Sequence, residues 1–209
     1  MKAFLFDLDG VIVDSEWINV GSGVKAFRDF GINLTPAERK FIIGRHPVDY
    51  CKTFSKKYSF DFDKFRPLQR AYYLEMYQRA KLYPFARQLI RKLKKKGCLA
   101  LVTTSPKKLV NIALKKFNLQ GLFDVFVTFE DAQRRKPAPD VYLLAAKRLK
   151  VKPKDCVVFE DSIPGVAAAK KARMVCIAVT NTNPASKLNK ADLIVKKLND
   201  KRIWDYVDF

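Results

Sequence analysis

The run Ala3-Phe4-Leu5-Phe6-Asp7-Leu8-Asp9-Gly10-Val11-Ile12-Val13-Asp14-Ser15 decides how the rest of the chain is read. Residues 3–6 are all apolar and are followed at once by charge, as expected of a strand buried on both faces. Asp7 and Asp9 stand at its end, and alternation along an extended backbone aims them the same way. Gly10 then lets the chain turn away sharply. Carboxylates this close repel unless a cation or a shared proton relieves them. A D-x-D pair by itself is common in charged turns, so its meaning depends on what the other strand ends carry.

Five further apolar runs read as buried strands: residues 98–103, 125–128, 156–159, 175–180 and 193–195. Segments of helical period lie between them. Leu89, Ile90 and Leu93 mark one helix, closed by Gly97 at its left-handed end. Ser105 reads as a cap with Pro106 in the first turn, ahead of Leu109, Ile112, Ala113 and Phe117. Tyr142, Ala145, Ala146 and Leu149 form a third apolar face, and residues 166–172 an Ala-rich fourth. Strands alternating with helices predict an α/β fold, a parallel sheet covered on both faces.

Residues 15–82 break that alternation, for they contain no convincing strand. Trp17, Val20, Val24 and Phe27 share one helical face, and Thr35-Pro36-Ala37-Glu38 has the spacing of a capping box. Tyr50, Cys51, Phe54 and Tyr58 suggest a third helix, and Phe65, Leu68, Tyr72 and Met76 a fourth. The predicted organisation is an α/β core of residues 1–14 and 83–209, with an all-helical domain of residues 15–82 inserted after the first strand. An insertion there borders the carboxyl ends of the strands, where open parallel sheets bind ligands.

Composition narrows the class. The 209 residues hold 41 Lys+Arg against 21 Asp+Glu, a net charge of +20, with 48% hydrophobic residues. That apolar content builds a core and excludes a disordered or low-complexity chain. No apolar run approaches the ~20 residues that span a bilayer. Cys51, Cys98, Cys156 and Cys176 are scattered without a C-x-x-C pair, as in a reduced, cytoplasmic protein. The positive excess invites a nucleic-acid reading, and twelve Lys or Arg with no acid lie between Glu75 and Asp124. No RNA-binding motif accompanies them and no aromatics interleave Lys94-Lys95-Lys96 or Lys107-Lys108, so a solvated basic surface is the expectation.

The other strand ends are reactive. The second run ends in Thr103-Thr104-Ser105, hydroxyls and backbone N–H groups at a helix start, a natural anion cradle. The third is followed by Arg134-Arg135-Lys136-Pro137-Ala138-Pro139-Asp140, a cation held between prolines. The fourth ends in Glu160-Asp161-Ser162, a second acidic pair. Acids to hold a metal, with donors and a cation to hold an anion, converge on one sheet edge and describe a phosphoryl-transfer site.

At DLDGVIVDS, LVTTS, KPAPD and VFEDS, in this order, the chain resembles the haloacid dehalogenase superfamily, in the helical-cap branch of β-phosphoglucomutase and sugar-phosphate phosphatases. The resemblance implies a Rossmann-like core with the insertion as its cap. It implies Asp7 as the nucleophile that forms an aspartyl-phosphate and Asp9 as the general acid and base. It implies Mg2+ between Asp7, the Asp9 carbonyl and Asp161, with Glu160 beside it. Thr103, the Thr104 N–H and Lys136 would hold the phosphoryl group. Dehalogenases that name the superfamily lack the acid corresponding to Asp9, which argues for phosphate chemistry.

Between hydrolysis and isomerisation, departures from the mutase pattern favour hydrolysis of a small phosphorylated metabolite, and a monomer or weak dimer is expected. Mutases of this branch usually carry a histidine where this chain has Asn19, and a Gly-x-x-Arg stretch where it has Gly44-Arg45-His46-Pro47. Arg45 is the one cap residue singled out for substrate contact, and a β-phosphoglucomutase-type mutase is the alternative. Gly21-Ser22-Gly23 reads as helix flexibility, Asp61 and Asp63 as a helix-start acid cluster, and His46 as structural. Arg173 stands where relatives commonly have glycine, a position expected to need positive φ.

Overall fold

A computed structural model describes residues 2–207. The chain divides into two compact units, Met1–Val13 with Leu82–Phe209, and Asp14–Lys81. In chain order the elements are β1 (Ala3–Phe6), β2 (Val13–Asp14), α1 (Glu16–Asp29), α2 (Pro36–Ile42), α3 (Pro47–Phe54) and α4 (Phe62–Tyr77). Then follow β3 (Lys81–Leu82), α5 (Ala86–Lys94), β4 (Cys98–Val102), α6 (Lys107–Lys116), β5 (Val125–Val127) and α7 (Asp140–Arg148). The chain ends with β6 (Cys156–Glu160), α8 (Ile163–Lys171), β7 (Val175–Val179), β8 (Leu193–Val195) and α9 (Ile203–Val207).

All six apolar runs become strands of one sheet, in the order β5-β4-β1-β6-β7-β8, and every recorded pairing is parallel. β1 lies between β4 and β6, so each of its residues is buried. The chain builds outward from β1 to β4 and β5, then crosses to β6, β7 and β8, which makes β1 the point where strand order reverses. Ligands of open α/β sheets bind at the carboxyl ends of strands at such a point. Beneath it Phe6 stacks on Phe159 at 4.4 Å between ring centroids. One core cluster joins Leu5, Ala100 and Val158 to Tyr142, Ala145, Val166 and Ala169, as the helical periodicity requires.

Three local expectations differ. Gly97 does not adopt positive φ; it is needed because a Cβ there would collide with the Lys2 carbonyl. Ser105 is not the cap of α6: the helix starts at Lys107, with Pro106 in the cap position. Proline disfavours helical geometry in the residue before it, which keeps Ser105 outside. The Lys107 N–H is instead met by the Glu130 carboxylate at 3.0 Å, so that helix start is not an open anion cradle. Arg173 does hold φ +58, closing α8 with the Met174 N–H donating to Ala169 and the Arg173 N–H to Lys170.

In the helical unit Phe27 packs against Phe54, Phe60 and Phe65 at the centre of an aromatic cluster. Trp17 departs from its predicted face: it is 40% exposed, and Ile18 is buried in its place. Gly21 and Gly23 serve close packing rather than flexibility, because a Cβ would meet Met76 at the first and the Tyr50 hydroxyl at the second. Ser22 between them is buried and accepts a hydrogen bond from Gln69 of α4 at 2.9 Å. The Thr35–Glu38 capping box forms, Asp61 caps α4, and His46 caps α3 through Nδ1. Two-residue strands β2 and β3 pair where the chain passes between units, a strand the sequence did not suggest. Among the described residues no helix is long and apolar enough to cross a membrane.

Candidate active site

Three neighbouring strands deliver the site residues: β1 ends before Asp7, β4 before Thr103, and β6 in Glu160 followed by Asp161. The Asp7 N–H continues the β1–β6 ladder by donating to Phe159 O at 3.1 Å, which fixes where its side chain leaves the sheet. Gly10 sits at φ +84, and a Cβ there would collide with the Asp161 carboxylate. Glycine is thus required for conformation and for space. The Asn181 amide donates to Gly10 O at 2.8 Å and the Asn183 amide to Asp161 O at 3.1 Å, pinning both loops.

Asp7, Glu160 and Asp161 are buried, and each offers a carboxylate oxygen within 4.8 Å of the others. Lys136 reaches in from the loop before α7, donating to Glu160 Oε1 at 2.6 Å, Asp7 Oδ1 at 3.0 Å and Val102 O at 3.4 Å. Three acceptors match the three protons of an ammonium. Asp7 Oδ2 accepts no hydrogen bond among the described residues. Glu160 is saturated: Oε1 also receives the Tyr142 hydroxyl at 2.6 Å, and Oε2 receives the Asp161 N–H, the Ser162 N–H and the Ser162 hydroxyl. Ser162 in turn caps α8 by accepting from the Gly165 N–H at 3.0 Å.

The electrostatics follow from burial. Desolvation pushes the Asp7 carboxyl up to about 7, the charges of Glu160 and Asp9 adding to the effect and Lys136 opposing it. Burial acts the same way on Glu160, yet Lys136 and the hydrogen bonds outweigh it and hold that group below the ordinary carboxylate value. Burial weakens the Lys136 ammonium, but Asp7 and Glu160 more than compensate and keep it charged. Three carboxylates against one ammonium leave an excess of negative charge in a buried place, the condition under which a divalent cation is held.

Asp9 accepts from the Ser105 hydroxyl at 2.6 Å, so Ser105 acts on the site rather than on the helix. Thr103 is buried, and its Oγ1 accepts from the Ser105 N–H at 3.0 Å, leaving its own proton for an incoming acceptor. The Thr104 N–H donates to no group among the described residues. Arg45 belongs to the helical unit, where its guanidinium lies 4.0 Å from the Phe41 ring centroid and donates to Phe41 O at 2.6 Å. Asn19 donates to Arg45 O and to Glu16 Oε1, both at 3.2 Å, so its amide is engaged within the same unit.

Sequence reasoning missed Tyr142, Ser162, Asn181 and Asn183 as site residues. Tyr142 sits at helical spacing among core residues, and periodicity reports its burial but not the carboxylate its hydroxyl touches. The two asparagines follow β7 and carried no motif.

The family model described as haloacid dehalogenase-like hydrolase matches residues 4–179. Validoxylamine A 7'-phosphate phosphatase of Streptomyces hygroscopicus subsp. limoneus is 31% identical over 212 residues, covering 99% of this chain and 98% of the relative. Hexitol phosphatase A of Escherichia coli is 34% identical over 208 residues, covering 94% and 91%. The crystal structure of beta-phosphoglucomutase from Clostridium difficile matches with a TM-score of 0.84 at 25% identity, covering 100% of this chain and 97% of that one.

Proposed function

The chain belongs to the haloacid dehalogenase-like hydrolase family, and from that premise we propose that it is a Mg2+-dependent phosphatase releasing inorganic phosphate from a small, polyhydroxylated phosphate monoester. Curated relatives that match it nearly end to end are named as phosphatases of such compounds, which supports phosphoric monoester hydrolysis as the activity. The observation that carries the reading is the meeting of Asp7 and Asp161 at adjacent strand ends, with the charged Lys136 brought onto Asp7 by the loop before α7.

The donor set fits Mg2+: it is all oxygen, compact and over-charged by acids. Asp7, the Asp9 carbonyl and Asp161 would hold the ion, with Glu160 behind them because both its oxygens already meet protein donors. When bound, Mg2+ screens the repulsion between a carboxylate nucleophile and an anionic phosphate.

In this reading Asp7 Oδ2 attacks phosphorus while Asp9 gives its proton to the departing ester oxygen, so one P–O bond forms as another breaks. Asp9, now a carboxylate, takes a proton from water, which attacks the aspartyl-phosphate and frees both Asp7 and phosphate. Ser105 orients Asp9 through its 2.6 Å hydrogen bond. Lys136 fixes Asp7 by Oδ1 and balances charge on the phosphoryl group, whose oxygens meet the Thr103 hydroxyl and the Thr104 N–H.

A panel of phosphate esters with Mg2+, read for free phosphate and for isomerised product, tests the proposal. Phosphate release that stops with EDTA and returns with Mg2+ is the expected result. Conversion of β-glucose 1-phosphate to glucose 6-phosphate without phosphate release would replace hydrolysis by mutase chemistry.

A further inference from the structure

The acid-free basic stretch has a shape that the sequence did not reveal. Tyr83, Phe85, Arg87, Arg91, Lys92 and Lys95 are among the residues that line a cavity of about 570 Å³, within the range of small-molecule sites. It shares no lining residue with the acidic site. Arg87 and Arg91 of α5 and Lys95 at its C-terminal cap recur every four residues, so three cations lie along one ridge and each repels the next. Among the described residues no carboxylate pairs with these three or with Lys92.

Other features of the same place bear on what it can hold. Arg87 gives one guanidinium nitrogen to Phe117 O at 2.6 Å, but its Nε is buried and has no hydrogen-bond partner. A buried, unmatched donor on a cation is costly unless an acceptor arrives. α5 opens without a side-chain cap and without an acid in its first turn. At the rim Phe85 stays 40% exposed, in a left-handed conformation of φ 68 that a bulky side chain seldom adopts. Lys92 is 5.7 Å from the Trp204 ring centroid, so part of the cationic row already leans on an aromatic face.

We propose that this cavity is a second ligand site, which binds a nucleotide: the phosphate chain on Arg87, Arg91, Lys92 and Lys95, and the planar base against Phe85 and Tyr83. Limited volume favours one small polyphosphate over a long polymer. The aromatic rim supplies the sequence-independent stacking surface that a base uses.

Calorimetric titration of the full chain in EDTA, at about 0.15 M ionic strength, tests this with ATP, tripolyphosphate and a short single-stranded RNA as probes. ATP is expected to bind more tightly than tripolyphosphate, with affinity falling at least ~10-fold in Arg91→Glu and roughly 5-fold or more in Phe85→Ala. Turnover of p-nitrophenyl phosphate by Arg91→Glu reports that the fold and the acidic site are intact. Absence of ATP binding overturns the proposal, as does binding that Arg91→Glu leaves unchanged, which places ATP elsewhere on the protein. Tripolyphosphate binding as tightly as ATP removes the base from the assignment and overturns it. RNA binding more tightly than ATP and lost in Arg91→Glu makes the surface a polyanion interface, which also overturns it.

Discussion

The Lys136 ammonium lies 2.6 Å from Glu160 Oε1 and 3.0 Å from Asp7 Oδ1, so the carboxylate saturated by protein donors holds the cation more closely than the one with an open oxygen. Glu160 thereby sets where Lys136 can stand, and Lys136 sets which oxygen of Asp7 is left without a protein donor. Glu160→Gln keeps the shape but removes the charge that anchors the ammonium. The expected result is a fall in kcat of about 10- to 100-fold, the usual effect of losing an orienting partner, with a smaller change in KM. Steady-state kinetics beside a thermal melt check this; an unchanged kcat in a folded variant would remove Glu160 from the positioning role.

Asp7→Asn removes the proposed nucleophile and leaves an amide of the same size between Lys136 and Asp161. Phosphate release is expected to fall by roughly 10⁴-fold or more, with the circular dichroism spectrum retained. Asp9→Asn keeps the nucleophile but loses the proton relay, so its loss is expected to be about 10²- to 10⁴-fold. Equal, mild losses in both variants would contradict the division of roles.

Gly165 is the third residue of α8, where a Cβ would collide with the buried Glu160 carboxylate. That carboxylate is held by Lys136, Tyr142 and Ser162 and has nowhere to relax. Gly165→Ala is expected to destabilise the protein by about 1–3 kcal/mol, the cost of forcing atoms into a packed place, and to lower kcat through the displaced Lys136. Denaturant unfolding and kinetics on the same sample give both readings; wild-type values in each would mean that Glu160 moves freely.

The strands and the strand-end acids were legible because each depends on local pattern: an apolar run, then charge, then glycine. What was not legible depends on partners far along the chain. Ser105 looked like a cap because it precedes Pro106, but Glu130, well downstream, meets the α6 N–H and frees Ser105 for Asp9. The saturation of Glu160 joins Lys136, Tyr142 and Ser162, which the sequence places in a proline-flanked loop, on a core face and beside a strand-end acidic pair. Spacing alone puts Trp17 on a buried face, whereas the helix turns Ile18 inward in its place. The basic stretch read as solvated surface because no residue-by-residue pattern shows that Phe85 and Tyr83 border the same hollow as Arg87 and Arg91.

Asp131 gives a pH dependence outside the acidic site. Burial works against its charged form, but the Arg148 guanidinium at 2.6 Å and the Thr128 N–H at 2.8 Å prevail and lower its carboxyl from 3.8 to about 2. A depressed carboxylate contributes stability that is fully present above its unfolded value and is lost as pH falls toward its folded value. The stability gap between wild type and Asp131→Asn is therefore expected to be constant from neutral pH to about 5 and to shrink as pH falls from about 4 to 2. Urea midpoints across that range check it; a gap that persists at pH 2 would assign the difference to packing.

Arg173 closes α8 at φ +58, and it is exposed to solvent. The Arg173 and Met174 N–H groups satisfy the last carbonyls of α8 in the manner that normally places glycine here. A side chain in this conformation costs roughly 1–2 kcal/mol through the crowding of Cβ against the following carbonyl. Glycine relieves that strain but has a freer unfolded chain, which offsets about 0.4–1 kcal/mol of the gain. Arg173→Gly is expected to raise stability by about 0.5–1 kcal/mol, seen as a higher urea midpoint at unchanged slope, with activity unaffected. A lower midpoint would show that the arginine side chain makes a contribution greater than the strain it imposes.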